Sequence, residues 1–248
     1  MNKKIYLFIG PQRSGTTSVY THFKDNSNIS TPSEKENNLL IKKTPELDEY
    51  LTLFEKNKEI YIDVCPQYFG NKLSFNFICA RQHWFEKIIF IHRNPLERAE
   101  SFLKLQVAYG RDIKALEDEI INNNHFICAH RLQEFKKELG DKLEIWSFDN
   151  LEVNIQADFN TNNKLTKVHS SFGKPRFNFF NKYFLPLSTS FLRGIGANNF
   201  VDIIKENKLV RKILFKQPSF NEDISYYLKK YKDQLLEENK VVRRIGVR

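Results

Sequence analysis

Residues 4–18 read KIYLFIGPQRSGTTS, an apolar run followed directly by a glycine-rich turn. The apolar run, 4–10, predicts a buried strand, and the amphipathic segment after the turn, 16–26, predicts a helix. In such a unit the glycines let backbone N–H groups point inward, and the helix N-terminus attracts an anion. The segment therefore predicts an α/β protein with a phosphate-binding loop.

The turn has the Gly-x-x-x-x-Gly spacing of nucleotide-binding loops, with Gly10 and Gly15 as its glycines. In a nucleoside-triphosphate loop the next two residues are Lys and then Ser or Thr. This chain has Thr16 and Thr17 there, and its cation, Arg13, lies inside the loop. The missing Lys argues against a triphosphate site. An ordinary strand–turn–helix connection is the plain alternative.

The remaining pattern predicts a central parallel sheet flanked by helices. Further strands are expected at 59–65, 87–93 and 142–148, and helices at 71–84, 97–110, 112–123, 126–140 and 224–239. The Asn-rich stretch 156–164 predicts a loop. We expect one domain over 1–248, with an α/β core in 1–150 and a helical, basic extension in 151–248.

The basic excess of the chain is local. There are 39 Lys and Arg against 30 Asp and Glu, a formal net charge of +9. Residues 164–218 hold 11 basic and 2 acidic residues, so this stretch accounts for the whole excess. An anionic partner is therefore expected there. Within it, 205–216 alternates basic and apolar residues and predicts a basic amphipathic helix beside an acceptor entrance or an anionic surface.

Composition excludes several classes of protein. With 41% apolar residues, the chain can bury a full core. It has no apolar run of about 18 residues, which predicts no membrane span, although peripheral membrane contact stays open. Its three cysteines have neither disulfide-framework nor zinc-site spacing, which fits a reducing cytoplasm. No RNA-binding motif is present, so nucleic acid is not the expected partner. The oligomeric state cannot be read from the sequence.

A second group of candidate residues follows the strand at 87–93. Arg93 ends that strand, and Ser101 falls on the second turn of the next helix. Ligands of parallel sheets bind at the carboxyl ends of strands, so Arg93 should face the same crevice as the loop. Arg93 can hold a phosphate bidentately, and Ser101 can donate a hydroxyl hydrogen bond. The two sites together describe a nucleotide with phosphate at both ends.

These residues resemble the sulfotransferases that use 3′-phosphoadenosine-5′-phosphosulfate. Residues 13–17, RSGTT, are similar to the family's 5′-phosphosulfate loop. Arg93 and Ser101 together are similar to its 3′-phosphate site. Residues 63–68, DVCPQY, resemble an acidic-x-Ser-Pro-x-Tyr segment, with Cys65 in place of Ser. The segments WSFDNL (146–151) and KVHSSFGKPR (167–176) resemble a later strand end and a late nucleotide loop.

The resemblance implies a sulfuryl transfer to a hydroxyl or amine acceptor, with no metal. It implies these donor-binding residues: Arg13, Ser14, Gly15, Thr16, Thr17, Ser18, Arg93, Ser101, Lys174 and Arg176. Arg13 would also act catalytically, by stabilising charge on the leaving phosphate. Asp63 and Tyr68 are candidates for substrate contact. For Asp63, capping of the following turn is the plain alternative.

Glu36 is the candidate general base. Family members that modify polysaccharides carry a Glu in a Lys-Glu-x-x-Phe-Phe-like segment about 20 residues past the loop, and Lys35-Glu36 match it here, with Leu39-Leu40 in place of the aromatics. This similarity favours a carbohydrate acceptor, and a small metabolite stays open. The alternative for Glu36 is a solvated loop charge.

Two other functions remain open from the sequence. A nucleotide or small-molecule kinase would use 10–17 as its loop and Asp63 as its metal-binding acid. A non-catalytic protein would use the basic C-terminal region to hold an anion.

Overall fold

The computed structural model describes residues 3–108, 127–161, 164–165 and 222–248. The chain divides into two compact units. One comprises Met1–Ala99, Asp118–Val168 and Tyr231–Arg248, and the other comprises Glu100–Glu117 and His169–Lys230. The sheet and the residues around it belong to the first unit.

A five-stranded parallel sheet lies at the centre of the first unit. Its strands, in chain order, are β1 (Lys4–Ile9), β2 (Ile29–Ser30), β3 (Ile60–Val64), β4 (Phe85–His92) and β5 (Leu143–Ser147). Their spatial order is β2-β3-β1-β4-β5, and every neighbouring pair is parallel. Strand β1 is central, so the loop that follows it lies between the ends of β3 and β4.

The helices of the described residues follow the strands in alternation. They are α1 (Thr16–Lys24), α2 (Leu39–Lys42), α3 (Leu47–Leu51), α4 (Gln67–Gly70), α5 (Lys72–Ala80), α6 (Pro95–Ala108), α7 (Ala129–Leu139), α8 (Leu151–Phe159) and α9 (Glu222–Gly246). Helix α6 begins at Pro95, two residues before the predicted start at 97. Pro95 takes the first helical position, and the Asn94 side chain accepts a hydrogen bond from the Leu96 N–H at 3.0 Å. No helix in the described ranges is both long enough and apolar enough to cross a membrane.

Strand β1 is apolar along its length because both of its faces are buried. Ile5, Leu7 and Ile9 belong to one core cluster, and Tyr6 and Phe8 belong to another. Alternate residues of a strand point to opposite faces, so this division places one cluster on each side of the sheet. Helix α1 lines one side through Val19 and Phe23, which are fully buried.

Polar contacts join the C-terminal helix α9 to the start of α7 and to the end of β4. The buried Glu238 carboxylate accepts hydrogen bonds from the backbone N–H groups of Cys128 and Ala129, both at 2.6 Å, where α7 begins. His92 at the end of β4 pairs with the Asn239 side chain at 2.9 Å. Burial lowers the pKa of His92 to about 4, so its ring is neutral at physiological pH.

The predicted fold class is confirmed: a parallel sheet flanked by helices, with a strand–loop–helix unit at its centre. One prediction was wrong. The stretch 156–164 was expected to be a loop, but α8 continues to Phe159. The Phe159 ring packs against Tyr6 at 4.8 Å and Phe23 at 5.0 Å between ring centroids, and this burial favours the helix over the local preference of Asp and Asn. The helices predicted at 112–123 and 205–216 lie outside the described residues.

Candidate functional site

The candidate residues from three segments meet at the carboxyl edge of the sheet. Gly10 follows β1, Cys65 follows β3, and Arg93 follows β4. These strands are adjacent and parallel, so their carboxyl ends lie side by side, where ligands of such sheets bind.

The loop between β1 and α1 has an unusual backbone conformation. Gly10, Arg13 and Gly15 have φ angles of 151°, 67° and 107°. A Cβ on Gly10 would lie 3.0 Å from the Ile91 carbonyl oxygen, so the loop folds closely against the end of β4. Arg13 adopts the left-handed region without being glycine, which is uncommon and often marks a functional turn.

The loop presents hydrogen-bond donors to an anion. Helix α1 has no side-chain cap at Gly15 and no acidic residue in its first turn. Its first backbone N–H groups have no acceptor inside the helix, and its dipole favours negative charge there. The Ser14 hydroxyl is fully buried and has no hydrogen-bond partner among the described residues. A buried polar group in this state requires an explanation, and an anion bound in the loop would supply its partner.

Arg93 lies against the loop. Its Nη1 donates a hydrogen bond to the Arg13 carbonyl oxygen at 3.3 Å, and its Nε pairs with Glu97 at 3.2 Å. Its guanidinium lies 4.9 Å from the centre of the Phe148 ring. The structure therefore brings the two predicted phosphate-binding arginines into one site.

Sequence reasoning missed two residues that support this site. The ring of Phe148, in the segment WSFDNL, packs against Gly15 and lies 4.9 Å from the Arg93 guanidinium. Arg98 is fully buried, and its Nε donates to the Arg93 carbonyl oxygen at 3.2 Å. The spacing Arg-x-x-x-x-Arg was visible, but burial of the second arginine depends on tertiary packing. Arg98 fixes the backbone from which the Arg93 side chain projects.

Replacing Gly15 by alanine should disable the loop. A Cβ on Gly15 would lie 2.4 Å from Cε2 of Phe148, and the φ of 107° is strained for any side chain. We expect the loop to shift and the affinity for the predicted nucleotide ligand to fall at least tenfold, measured by calorimetry with 3′,5′-adenosine bisphosphate. The control is Gly140→Ala, since a Cβ at Gly140 meets no atom of the described residues within 4 Å although its φ is also positive, at 54°. Equal nucleotide affinity in the two variants would contradict the contact between the new Cβ and Phe148 as the cause of the loss.

Glu36 is held at this edge by contacts on both sides of it. On one side, the Tyr20 hydroxyl of α1 donates to the Pro32 carbonyl oxygen at 2.9 Å. On the other, the Asn37 amide reaches Asp63 on β3 at 3.1 Å. Glu36 itself is half-buried and forms an ion pair with Lys35. The segment that carries Glu36 is thus attached both to the helix after the phosphate loop and to the strand beside it.

Asp63 and Tyr68 are fully buried on β3 and α4, with hydrogen bonds inside the protein. Asp63 accepts from the Tyr50 hydroxyl at 2.9 Å and from Asn37, and the Tyr68 hydroxyl donates to Asn37 Oδ1 at 2.9 Å. Burial raises the pKa of Asp63 to about 6, although these hydrogen bonds oppose the rise. Contact of either residue with an acceptor stays a prediction.

The raised pKa of Asp63 predicts a pH-dependent stability. The folded protein holds the Asp63 proton more tightly than the unfolded chain, whose ordinary value is 3.8. This contribution to stability is present below about pH 4 and is lost as the pH rises past about 6; it amounts to ~2–3 kcal/mol. The free energy of unfolding, measured with urea, should therefore fall between pH 4.5 and pH 7 by more in the wild type than in Asp63→Asn. Parallel pH profiles for the two proteins would contradict the raised pKa.

The other predicted residues are placed as follows. Thr16 and Ser18 are buried at the start of α1, and Thr17 is half-buried. Ser101 lies on α6, in the second unit, and its phosphate contact stays a prediction. Lys174 and Arg176 lie outside the described residues. Among the described residues, no group of three or more His, Cys, Asp or Glu side chains is arranged to hold a metal ion.

Comparisons with known proteins agree with the fold. No protein-family model matches the sequence, and no curated protein matches it. A crystal structure of a sulfotransferase from Alicyclobacillus acidocaldarius is similar over 98% of this chain and 96% of that chain, with a TM-score of 0.52 and 13% sequence identity. At this identity the likeness establishes a shared fold.

Proposed function

We propose that this protein is a sulfotransferase that uses 3′-phosphoadenosine-5′-phosphosulfate as its donor. The observation that carries the proposal is the joint arrangement of the loop and Arg93. The Arg93 guanidinium reaches the loop backbone at 3.3 Å, beside a buried Ser14 hydroxyl that has no partner among the described residues. The sequence resemblance and the similar fold of a solved sulfotransferase support the same function.

The residues of the loop fit the phosphosulfate end of the donor. The backbone N–H groups of 15–17 and the side chains of Ser14 and Arg13 would hold it, because this helix start is uncapped and carries no acidic residue. Arg93 would hold the 3′-phosphate, with Ser101, Lys174 and Arg176 as further predicted contacts. When bound, the donor supplies a sulfuryl group on a phosphate that can leave.

Glu36 acts as the general base in this proposal. Its carboxylate removes the proton of the acceptor hydroxyl, while the acceptor oxygen bonds to sulfur and the bond between sulfur and the bridging phosphate oxygen breaks. Arg13 and the loop N–H groups stabilise the negative charge that develops on the leaving bisphosphate. Sulfated acceptor and 3′,5′-adenosine bisphosphate are the products. A carbohydrate hydroxyl is the proposed acceptor class.

The kinase alternative is not favoured by the geometry. It requires Asp63 to bind a metal ion, but its two carboxylate oxygens accept hydrogen bonds from Tyr50 and Asn37, and the residue is fully buried. The loop also has Thr16 where a triphosphate loop has Lys.

Thermal-shift measurements separate the two enzymes. The melting temperature should rise with 3′,5′-adenosine bisphosphate and should stay unchanged with ATP and Mg²⁺, because a ligand stabilises the folded state that binds it. A response to ATP and Mg²⁺ alone would refute the proposed donor. 5′-AMP serves as the control for adenosine binding without a 3′-phosphate.

A further inference from the structure

The turn that carries Glu36 has a strained backbone. Glu36 and Asn38 both adopt left-handed conformations, with φ angles of 61° and 58°, and neither is glycine. Residues keep such conformations only where the surrounding structure holds them. The contacts of this turn, residues 36–38, therefore show what fixes the direction of Glu36.

Asn37 is the main anchor of the turn. Its Nδ2 donates to Asp63 Oδ1 at 3.1 Å, and its Oδ1 accepts from the Tyr68 hydroxyl at 2.9 Å and from the Leu39 N–H at 2.9 Å. A side-chain amide has one donor end and one acceptor end, so these partners define a single orientation of Asn37. Asp63 faces the donor end.

Asp63 is itself rigidly held. Its second oxygen, Oδ2, accepts from the Tyr50 hydroxyl at 2.9 Å. Asp63, Tyr50 and Tyr68 are each 0% exposed. A buried carboxylate with both oxygens hydrogen-bonded cannot rotate without breaking a bond that water does not replace. Strand β3 thereby presents a fixed acceptor to Asn37.

The start of the segment that carries Glu36, at residues 32–33, is hydrogen-bonded to α1. The Tyr20 hydroxyl lies 2.9 Å from the Pro32 carbonyl oxygen and 3.1 Å from that of Ser33. A further hydrogen bond joins the turn to the residue after β3: the Cys65 thiol donates to Asn38 Oδ1 at 3.4 Å. Tyr20 links the segment to α1, the helix that follows the phosphate loop, and Asp63 holds the turn through Asn37.

We infer that Asp63 is a positioning residue for Glu36. Its carboxylate orients the Asn37 amide, and Asn37 holds the 36–38 turn so that Glu36 stays at the carboxyl edge of the sheet. The inference rests on the proposed function, because it gives Glu36 its role as base. It assigns Asp63 an effect on transfer that requires no contact with the acceptor.

A double-mutant cycle tests whether Asp63 acts through Glu36. The assay follows release of bisphosphate from the donor, with chitotetraose as acceptor and with water alone. Asp63→Asn leaves one acceptor oxygen for two donors, Tyr50 and Asn37, so turnover should fall about 10- to 100-fold with bisphosphate affinity unchanged. In a Glu36→Gln background, the same change should cost no further activity.

Further variants guard against a simple folding defect. Asn37→Ala removes the link without altering Asp63 and should reproduce the loss of turnover. Asn71→Ala is the matched control, since it removes the cap of α5, a 3.0 Å contact to the Ser74 N–H, and touches no residue of the turn. It should lower stability and leave turnover unchanged.

The outcomes separate the two claims. An active wild type with full turnover in Asp63→Asn, or with additive losses in the double mutant, would overturn the positioning role and leave the proposed function standing. A wild type that neither binds the bisphosphate nor releases it from the donor would overturn the proposed function, and the positioning role with it.

Discussion

Replacing Glu36 by glutamine should lower sulfuryl transfer by about 10²–10⁴-fold, the usual contribution of a general base. The amide has nearly the same shape as the carboxylate, but it cannot accept the acceptor's proton. The Glu36 side chain is 31% exposed, so a substrate hydroxyl can reach it. Release of bisphosphate from the donor, with chitotetraose as acceptor, measures the loss.

Binding of the bisphosphate should not change in this variant, because the phosphate loop and Arg93 are separate from the 36–38 turn. Glu34→Gln is the matched control: Glu34 is exposed two residues earlier in the same segment and should be dispensable. Full activity in Glu36→Gln would refute the assignment of the base. Equal losses in both variants would indicate a general effect of charge on this segment.

Replacing Arg13 by alanine should lower transfer by about 10²–10³-fold, as loss of one transition-state donor does in other enzymes. Arg13 is half-buried inside the loop and has a left-handed backbone with φ of 67°, so its position is set by the turn. Arg13→Lys should retain part of the activity, because Lys keeps the charge and loses the planar fork. Turnover with saturating donor measures the effect.

The control for Arg13 is Arg81→Ala. Arg81 is exposed and lies over the Trp84 ring at 5.9 Å, away from the carboxyl edge of the sheet. Its loss removes one positive charge and should leave turnover intact. If Arg13→Ala retained wild-type turnover, the loop would hold the donor through its backbone alone, and the catalytic role of Arg13 would be wrong.

The sheet could be predicted from sequence because most of its strands carry their own signal. Strand β1 is buried on both faces, and its apolar run reads directly as a strand. Strand β2 has two residues, Ile29 and Ser30, which is too short for any periodic pattern. Helix α8 was not predicted, and its end was assigned to a loop, because the packing of Phe159 against Tyr6 joins positions that are distant in the sequence.

The candidate site was predictable where its residues lie in local motifs. The loop at 10–18 and Arg93 each follow a recognisable strand. Glu36 lies in a segment that resembles one of the family. The contacts that hold these residues in place were not predictable, because they join positions that are distant in the sequence. Phe148 lies over Gly15, and the Tyr50 hydroxyl donates to Asp63 on β3. Nothing in the local sequence of Asn37 distinguishes it from an ordinary loop residue.

Calorimetric binding of 3′,5′-adenosine bisphosphate tests the central claim most directly. Two phosphate sites on one nucleotide predict that the bisphosphate binds at least tenfold more tightly than 5′-AMP, and that Arg93→Ala removes this difference. A bisphosphate that binds no better than 5′-AMP, or a wild type that prefers ATP with Mg²⁺, would contradict a donor site built from the loop and Arg93.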